Sequence, residues 1–163
     1  MSPTLLLKNA LVIATMDDEQ REIANGSVFI RGNRVEAVGP ASEMPDTADK
    51  VIDMTGHVLI PGLINTHHHM FQSLTRALPA AQDAELFDWL TALFPVWQNI
   101  TPAMQRAATR TAMAELMLSG CTTAADHAYL YVNGTRLDDS VQAAQEMGMR
   151  FHAVRGAMSL GQS

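Results

Sequence analysis

Beyond Pro61-Gly62 the apolar residues change their period, and they keep changing it. The short apolar run "LIN" (63–65) gives way to helical spacing, "CTTAAD" (121–126) returns to strand character, "TRLDDSVQAAQEM" (135–147) is amphipathic with Leu137, Val141 and Ala144 on one side, and "RFHAVRG" (150–156) is again strand-like. Such alternation of strand and helix leaves little choice of architecture. The strands are expected to lie parallel, joined by right-handed crossovers, with helices packed outside them. The first full crossover helix carries the clearest signals. Thr101 can cap it and Pro102 suits its first position, while Met104, Ala108, Ala112 and Leu116 mark its stripe and Gly120 ends it. Another helical segment, "AELFDWLTALFPVW" (84–97), precedes it. Its Leu86, Leu90 and Leu93, with Trp89 and Trp97, are expected to pack as core, a ligand-facing aromatic being the alternative.

The preceding residues read differently. "TLLLKN" (4–9), "ALVIAT" (10–15), "GSVFIRGNRVEAVG" (26–39) and "KVIDMTGHVLI" (50–60) are short strands with turn punctuation, and only the polar linker "PASEMPDTADK" (40–50) departs from that character. In the third, Val28 and Ile30 alternate with Ser27, Phe29 and Arg31, Gly32-Asn33 supplies a tight turn, and Val35 and Ala37 resume the alternation, which predicts a hairpin. The boundary falls near residue 60, with N-terminal strands over 1–60 and a strand-helix unit over 61–163.

With 47% apolar and 17% charged residues and a net charge of −6, the chain can build a core. No basic run is present, which argues against nucleic acid as a partner and leaves a small neutral or cationic substrate open. Cys121 is the single cysteine, so neither an internal disulfide nor a thiolate zinc cluster can form, and a reducing cytoplasm is expected. The two apolar runs at the N-terminus are broken by Lys8 and Asn9, far short of the roughly 20 apolar residues of a membrane span. Neither export nor membrane insertion is expected.

Three adjacent histidines, His67, His68 and His69, follow the "LIN" run in a chain that has six in all. Side chains at i and i+2 of an extended segment share a face, so His67 and His69 can converge on one ion while His68 points away. Neutral imidazoles suit zinc, and also iron, nickel or copper. A surface tract, or a histidine merely hydrogen-bonded near the core, is the competing reading. A catalytic zinc usually takes about three protein ligands, so the remaining histidines matter. His57 falls in the first unit and reads as structural. His127, after "CTTAAD", is positioned to line the pocket, and His152, mid-strand, reads as a satisfied core histidine.

The stretch "GHVLIPGLINTHHHMFQ" (56–72) resembles the amidohydrolase superfamily, and "HMFQSLTRALPAA", "LSGCTTAADHAYL" and "RFHAVRGAMSLGQS" are similar to the 8-oxoguanine deaminases and the hydroxytriazine and pterin aminohydrolases within it. That resemblance implies an α/β fold: an incomplete (β/α)8 barrel of about three strands, preceded by part of a small β-sandwich. It implies His67 and His69 as ligands of one divalent metal, zinc or else ferrous iron. Gln72 matches the glutamine that contacts substrate in that group, and its amide can both donate and accept at the edge of a lactam ring; an exposed glutamine opening a helix is the alternative. His127 and Arg155 are further candidates for contacting substrate, with pairing to a carboxylate the alternative for Arg155.

The implied reaction is hydrolytic deamination of an aminated N-heterocycle, an 8-oxoguanine-like purine, a pterin or a triazine, with release of ammonia. The general acid and base, a Glu and an Asp, are expected beyond residue 163. A full barrel takes roughly 250 residues, so residues 61–163 are expected to form the first part of a longer, homo-oligomeric enzyme, ending in a loop at "SLGQS" (159–163) and inactive without the rest of its barrel. Two alternatives stand beside deamination. One is hydrolysis of a cyclic amide with two metals, and the other is an inactive fragment that only binds metal.

Overall fold

The computed structural model describes residues 2–158. The chain divides into two compact units, Met1–Pro61 and Gly62–Ser163. The "SLGQS" loop lies outside the described residues.

In the first unit, β1 (Thr4–Ala14), β2 (Glu22–Arg31), β3 (Arg34–Pro40), β4 (Lys50–Asp53) and β5 (Val58–Leu59) form one sheet in the order β3-β2-β1-β4, with β5 also on β1. β2 lies antiparallel to β1 and β3, whereas β4 and β5 run parallel to β1. The two short N-terminal runs are therefore one strand. The break between Leu7 and Ala10 is an irregularity in its register, where Asn9 takes a φ of 63° and donates from its side chain to Asp53 at 3.2 Å. The expected hairpin is present: Gly32, with a φ of 58°, turns between the paired Arg31 and Arg34. Its alternation is not strict, because Gly26, Ser27, Val28 and Phe29 are all buried. Ser27 Oγ accepts the Asn9 backbone N–H at 3.3 Å, so a polar residue is satisfied where both sides of the strand are covered.

In the second unit, β6 (Leu63–Asn65), β7 (Cys121–Ala128) and β8 (Arg150–Arg155) form a parallel sheet in the order β6-β7-β8. Three helices stand between the strands: α1 (Leu86–Trp97), α2 (Pro102–Leu118) and α3 (Leu137–Met147). Thr101 caps α2 by accepting the Met104 N–H at 3.3 Å. Gly62 sits where the chain enters β6, and a Cβ there would collide with the Thr122 side chain on β7, which explains a glycine next to the proline. On β7, Ala124, Asp126 and Ala128 are buried while Thr123, Ala125 and His127 are half-buried on the opposite face. The buried face packs with α2 and α3 through Met70, Ala112, Met113, Cys121, Ala144 and Met149. The other face is open at β6, where Leu63 and Ile64 are 51% and 67% exposed.

The buried stripe of α2 is rotated from the expected one. Met104 is exposed, and the helix buries Gln105, Ala108, Thr109, Ala112 and Met113. Two polar residues can face inward because α3 answers them: Gln105 Nε2 donates to Ser140 Oγ at 2.9 Å, and Thr109 Oγ1 lies in hydrogen-bond contact with the same Ser140 Oγ at 3.1 Å. Ser140→Ala would leave the Gln105 amide buried without its acceptor, at a cost of about 1–3 kcal/mol. We expect that loss in urea denaturation, and we expect Gln105→Leu/Ser140→Ala to recover part of it.

Candidate functional site

The three histidines lie past β6, which ends at Asn65, in the irregular connection that leads to a 3-10 turn over Met70–Thr75. The alternation of faces continues beyond the strand itself. The His67 and His69 rings approach edge to face with centroids 4.8 Å apart. His127 joins them from the carboxyl end of β7, its ring 4.5 Å from that of His67. A backbone seam sets this arrangement. The His127 N–H donates to the His68 carbonyl at 2.8 Å, and the His127 carbonyl accepts from His69 Nδ1 at 2.8 Å. A carbonyl can only accept, so His69 donates from Nδ1, and Nε2 is the nitrogen this bond leaves for a ligand. His127 Nε2 likewise donates to the Thr66 carbonyl at 3.3 Å.

His68 departs from the simple spacer role. Its Nδ1 is buried without a partner among the described residues, and burial holds its pKa below the ordinary histidine value against the raising field of Asp126. Asp126 is fully buried, and its pKa is pushed up by burial despite the Met70 N–H that one carboxylate oxygen accepts at 2.9 Å.

Gln72, third in the 3-10 turn, is half-buried and donates from Nε2 to the Tyr129 hydroxyl at 2.8 Å. Burial raises the Tyr129 pKa. The Tyr129 ring meets the His69 ring edge to face at 5.0 Å. A cleft of about 460 Å³ is lined by His67, His68, His69, Gln72 and Trp89. A second hollow of about 460 Å³ shares His69, Gln72 and Trp89 with it and adds His127 and Tyr129. The two tryptophans divide their roles, because Trp97 is wholly buried whereas Trp89 walls the cleft.

Several sequence candidates fall elsewhere. Arg155 pairs in register with Ala128, on the helix-facing side of β8, and its guanidinium lies 5.1 Å from the Tyr131 ring centroid beside a separate hollow of about 390 Å³. It reaches neither the histidine cleft nor any carboxylate among the described residues. His152 is not a core histidine: it is exposed on the open face of β8. His57 stays in the first unit, its Nδ1 donating to the Thr55 carbonyl at 3.0 Å. Tyr129 and Asp126 escaped the sequence reading. Tyr129 shares the parity of His127, and Asp126 that of the buried Ala124 and Ala128; those were the signals available.

Among the described residues no cluster of three metal-ligating side chains is present. The donors that are present fit a metal in kind, two imidazoles, one of them oriented by a carbonyl, and they make up part of a full ligand set.

Parallel strands, crossover helices and a His-x-His pair beyond the first strand define the class: the opening part of a (β/α)8 barrel with its polar residues gathered at the carboxyl ends of the strands. Residues 58–162 match the amidohydrolase family, and the chain belongs to it. It is 44% identical over 158 residues to the 8-oxoguanine deaminase of Pseudomonas aeruginosa, covering 96% of this chain and 35% of that one. It is 36% identical over 163 residues to an isoxanthopterin deaminase from an unknown prokaryotic organism, covering 94% of this chain and 33% of that one. The zinc complex of the atrazine chlorohydrolase TrzN from Arthrobacter aurescens TC1 superimposes with a TM-score of 0.89 at 29% identity, over 96% of this chain and 36% of that one. The chain thus spans about a third of the length of these relatives.

Tyr129→Phe keeps the ring contacts and removes the hydroxyl that Gln72 donates to. We expect a loss of about 1 kcal/mol in stability and a side-chain amide resonance of Gln72 that narrows as it becomes mobile.

Proposed function

We propose that His67 and His69 hold one divalent metal, zinc or ferrous iron, and that this chain contributes them to a hydrolytic deaminase of an aminated N-heterocycle. The observation that carries the metal assignment is the seam to β7, which orients the His69 ring through its Nδ1–H and holds it 4.8 Å, centroid to centroid, from the His67 ring. The deaminases and the zinc-bound triazine enzyme among its relatives support the reaction class. The chemistry such a metal supplies when bound is activation of water as a nucleophile at neutral pH.

The chain's own residues bind and orient. With Nε2 engaged by Tyr129, Gln72 turns a fixed amide edge toward a planar heterocycle whose ring N–H and carbonyl groups match it. Trp89 and Tyr129 supply flat apolar walls that fit an aromatic ring and exclude water around it. Among the described residues no carboxylate lines the cleft, since Asp126 faces the helices. The proton transfers of the reaction are therefore assigned to residues of the whole enzyme outside this chain.

Zinc titrated into the chain is expected to bind at a single site and to shift the ring resonances of His67 and His69 while those of His57 and His152 stay in place. Shifts centred on His57 or His152 would contradict the assignment. Ammonia release from 8-oxoguanine, isoxanthopterin or aminotriazines by the 163-residue chain alone is expected to be absent, measured by a coupled ammonia assay. Turnover there would overturn the placement of the acid and base outside it.

A further inference from the structure

The histidine run is held by a pair of β7 residues that the proposed reaction leaves without a task. His68 is tied through its carbonyl to the His127 N–H, His69 through its ring to the His127 carbonyl, and Met70 through its N–H to an Asp126 carboxylate oxygen, at 2.8, 2.8 and 2.9 Å. Three consecutive residues are thus bound to two.

The third of these bonds has a specific cause. His69 occupies the N-cap position of the 3-10 turn Met70–Thr75, and a side chain at that position reaches the second or third N–H of the turn, so the first, that of Met70, needs an acceptor from elsewhere. Its own side chain makes no cap bond, and its ring is committed to the His127 carbonyl. Met70 is itself fully buried, so its N–H would have no water to bond. Asp126, also fully buried, supplies the missing acceptor from the neighbouring strand. Burying a carboxylate is unfavourable, and hydrophobic neighbours at Ala124 and Ala128 show what that face of β7 otherwise carries.

We propose that Asp126 is a positioning residue for the metal pair: by accepting the first N–H of the turn, it fixes the backbone on which the His69 ring takes its Nδ1–H to the His127 carbonyl. The proposal rests on the reading of His67 and His69 as metal ligands, and its test separates the two.

Asp126→Asn keeps an oxygen acceptor for the Met70 N–H, and Asp126→Ala removes it. Nitrogen-15 spectra of the histidine rings, recorded without metal at mildly alkaline pH, read the geometry directly. The unsubstituted chain and Asp126→Asn are expected to show His69 as a single Nδ1–H tautomer, and Asp126→Ala a mixture. Cobalt(II) titration, followed by its visible absorption, then reads the pair. Affinity is expected to fall about 10- to 100-fold in Asp126→Ala and to stay near the original value in Asp126→Asn.

An unchanged tautomer and cobalt affinity in folded Asp126→Ala would overturn the proposal. So would an equal loss in Asp126→Asn, since the charge rather than the acceptor would then matter. If Asp126→Ala does not fold, Asp126→Asn decides: retention of both readouts supports the positioning role and loss of either overturns it. No cobalt binding by the unsubstituted chain would remove the metal reading, while the ring spectra would still decide the role of Asp126.

Discussion

The seam between the end of β7 and the connection after β6 carries everything chemical in the second unit. β6 has three residues and two exposed side chains, Leu63 and Ile64, so its own packing cannot orient the histidines beyond it. Orientation comes instead from hydrogen bonds that run from His127 and Asp126 to His68, His69 and Met70. Buried bonds of this kind are costly to leave unmade, so the three residues have essentially one way to satisfy their backbone and ring groups together.

Behind that seam, a run of rings passes through the apolar cluster, with Leu93 and Ile100 packed around it. Trp97 meets Phe71 at 5.1 Å, Phe71 meets Tyr129 at 5.3 Å, and Tyr129 meets His69 at 5.0 Å, each near perpendicular. Edge-to-face contacts constrain orientation more than isotropic contacts do. The chain of rings therefore transmits the position of α1, through the buried Trp97, to the ring that carries the candidate ligand nitrogen. Trp97 Nε1 donates to Thr75 Oγ1 at 3.0 Å, which ties the far end of the 3-10 turn to the same helix. The turn is thus held at both ends, by Asp126 at its start and Trp97 at its close.

Polar residues occupy buried positions wherever two elements must be registered against each other. Gln105, Thr109 and Ser140 do this between α2 and α3, Asp126 between β7 and the turn, and Ser27 between β2 and β1. An apolar residue at these places would bury as well but would accept several alignments. Each of these groups bonds a particular partner, and that partner fixes the alignment.

Much of this was legible in the residues. Alternating periods after residue 60 specified parallel strands with intervening helices, because period 2 and period 3.6 are properties of local backbone geometry. Thr101, Pro102 and Gly120 bounded α2 for the same reason, and the i, i+2 relation chose His67 and His69 over His68. The rest depended on contacts between residues far apart in sequence. The rotated stripe of α2 was hidden because Gln105 and Thr109 look like surface residues until Ser140 is brought against them. The positions of Arg155 and His152 were hidden because the register of β8 on β7 decides which face a residue takes, and a single strand does not contain that register. By itself the sequence determined which elements form and which pair of histidines shares a face. Only the tertiary structure decided where the ring nitrogens point, because the acceptor that orients His69 is the carbonyl of a residue 58 positions away.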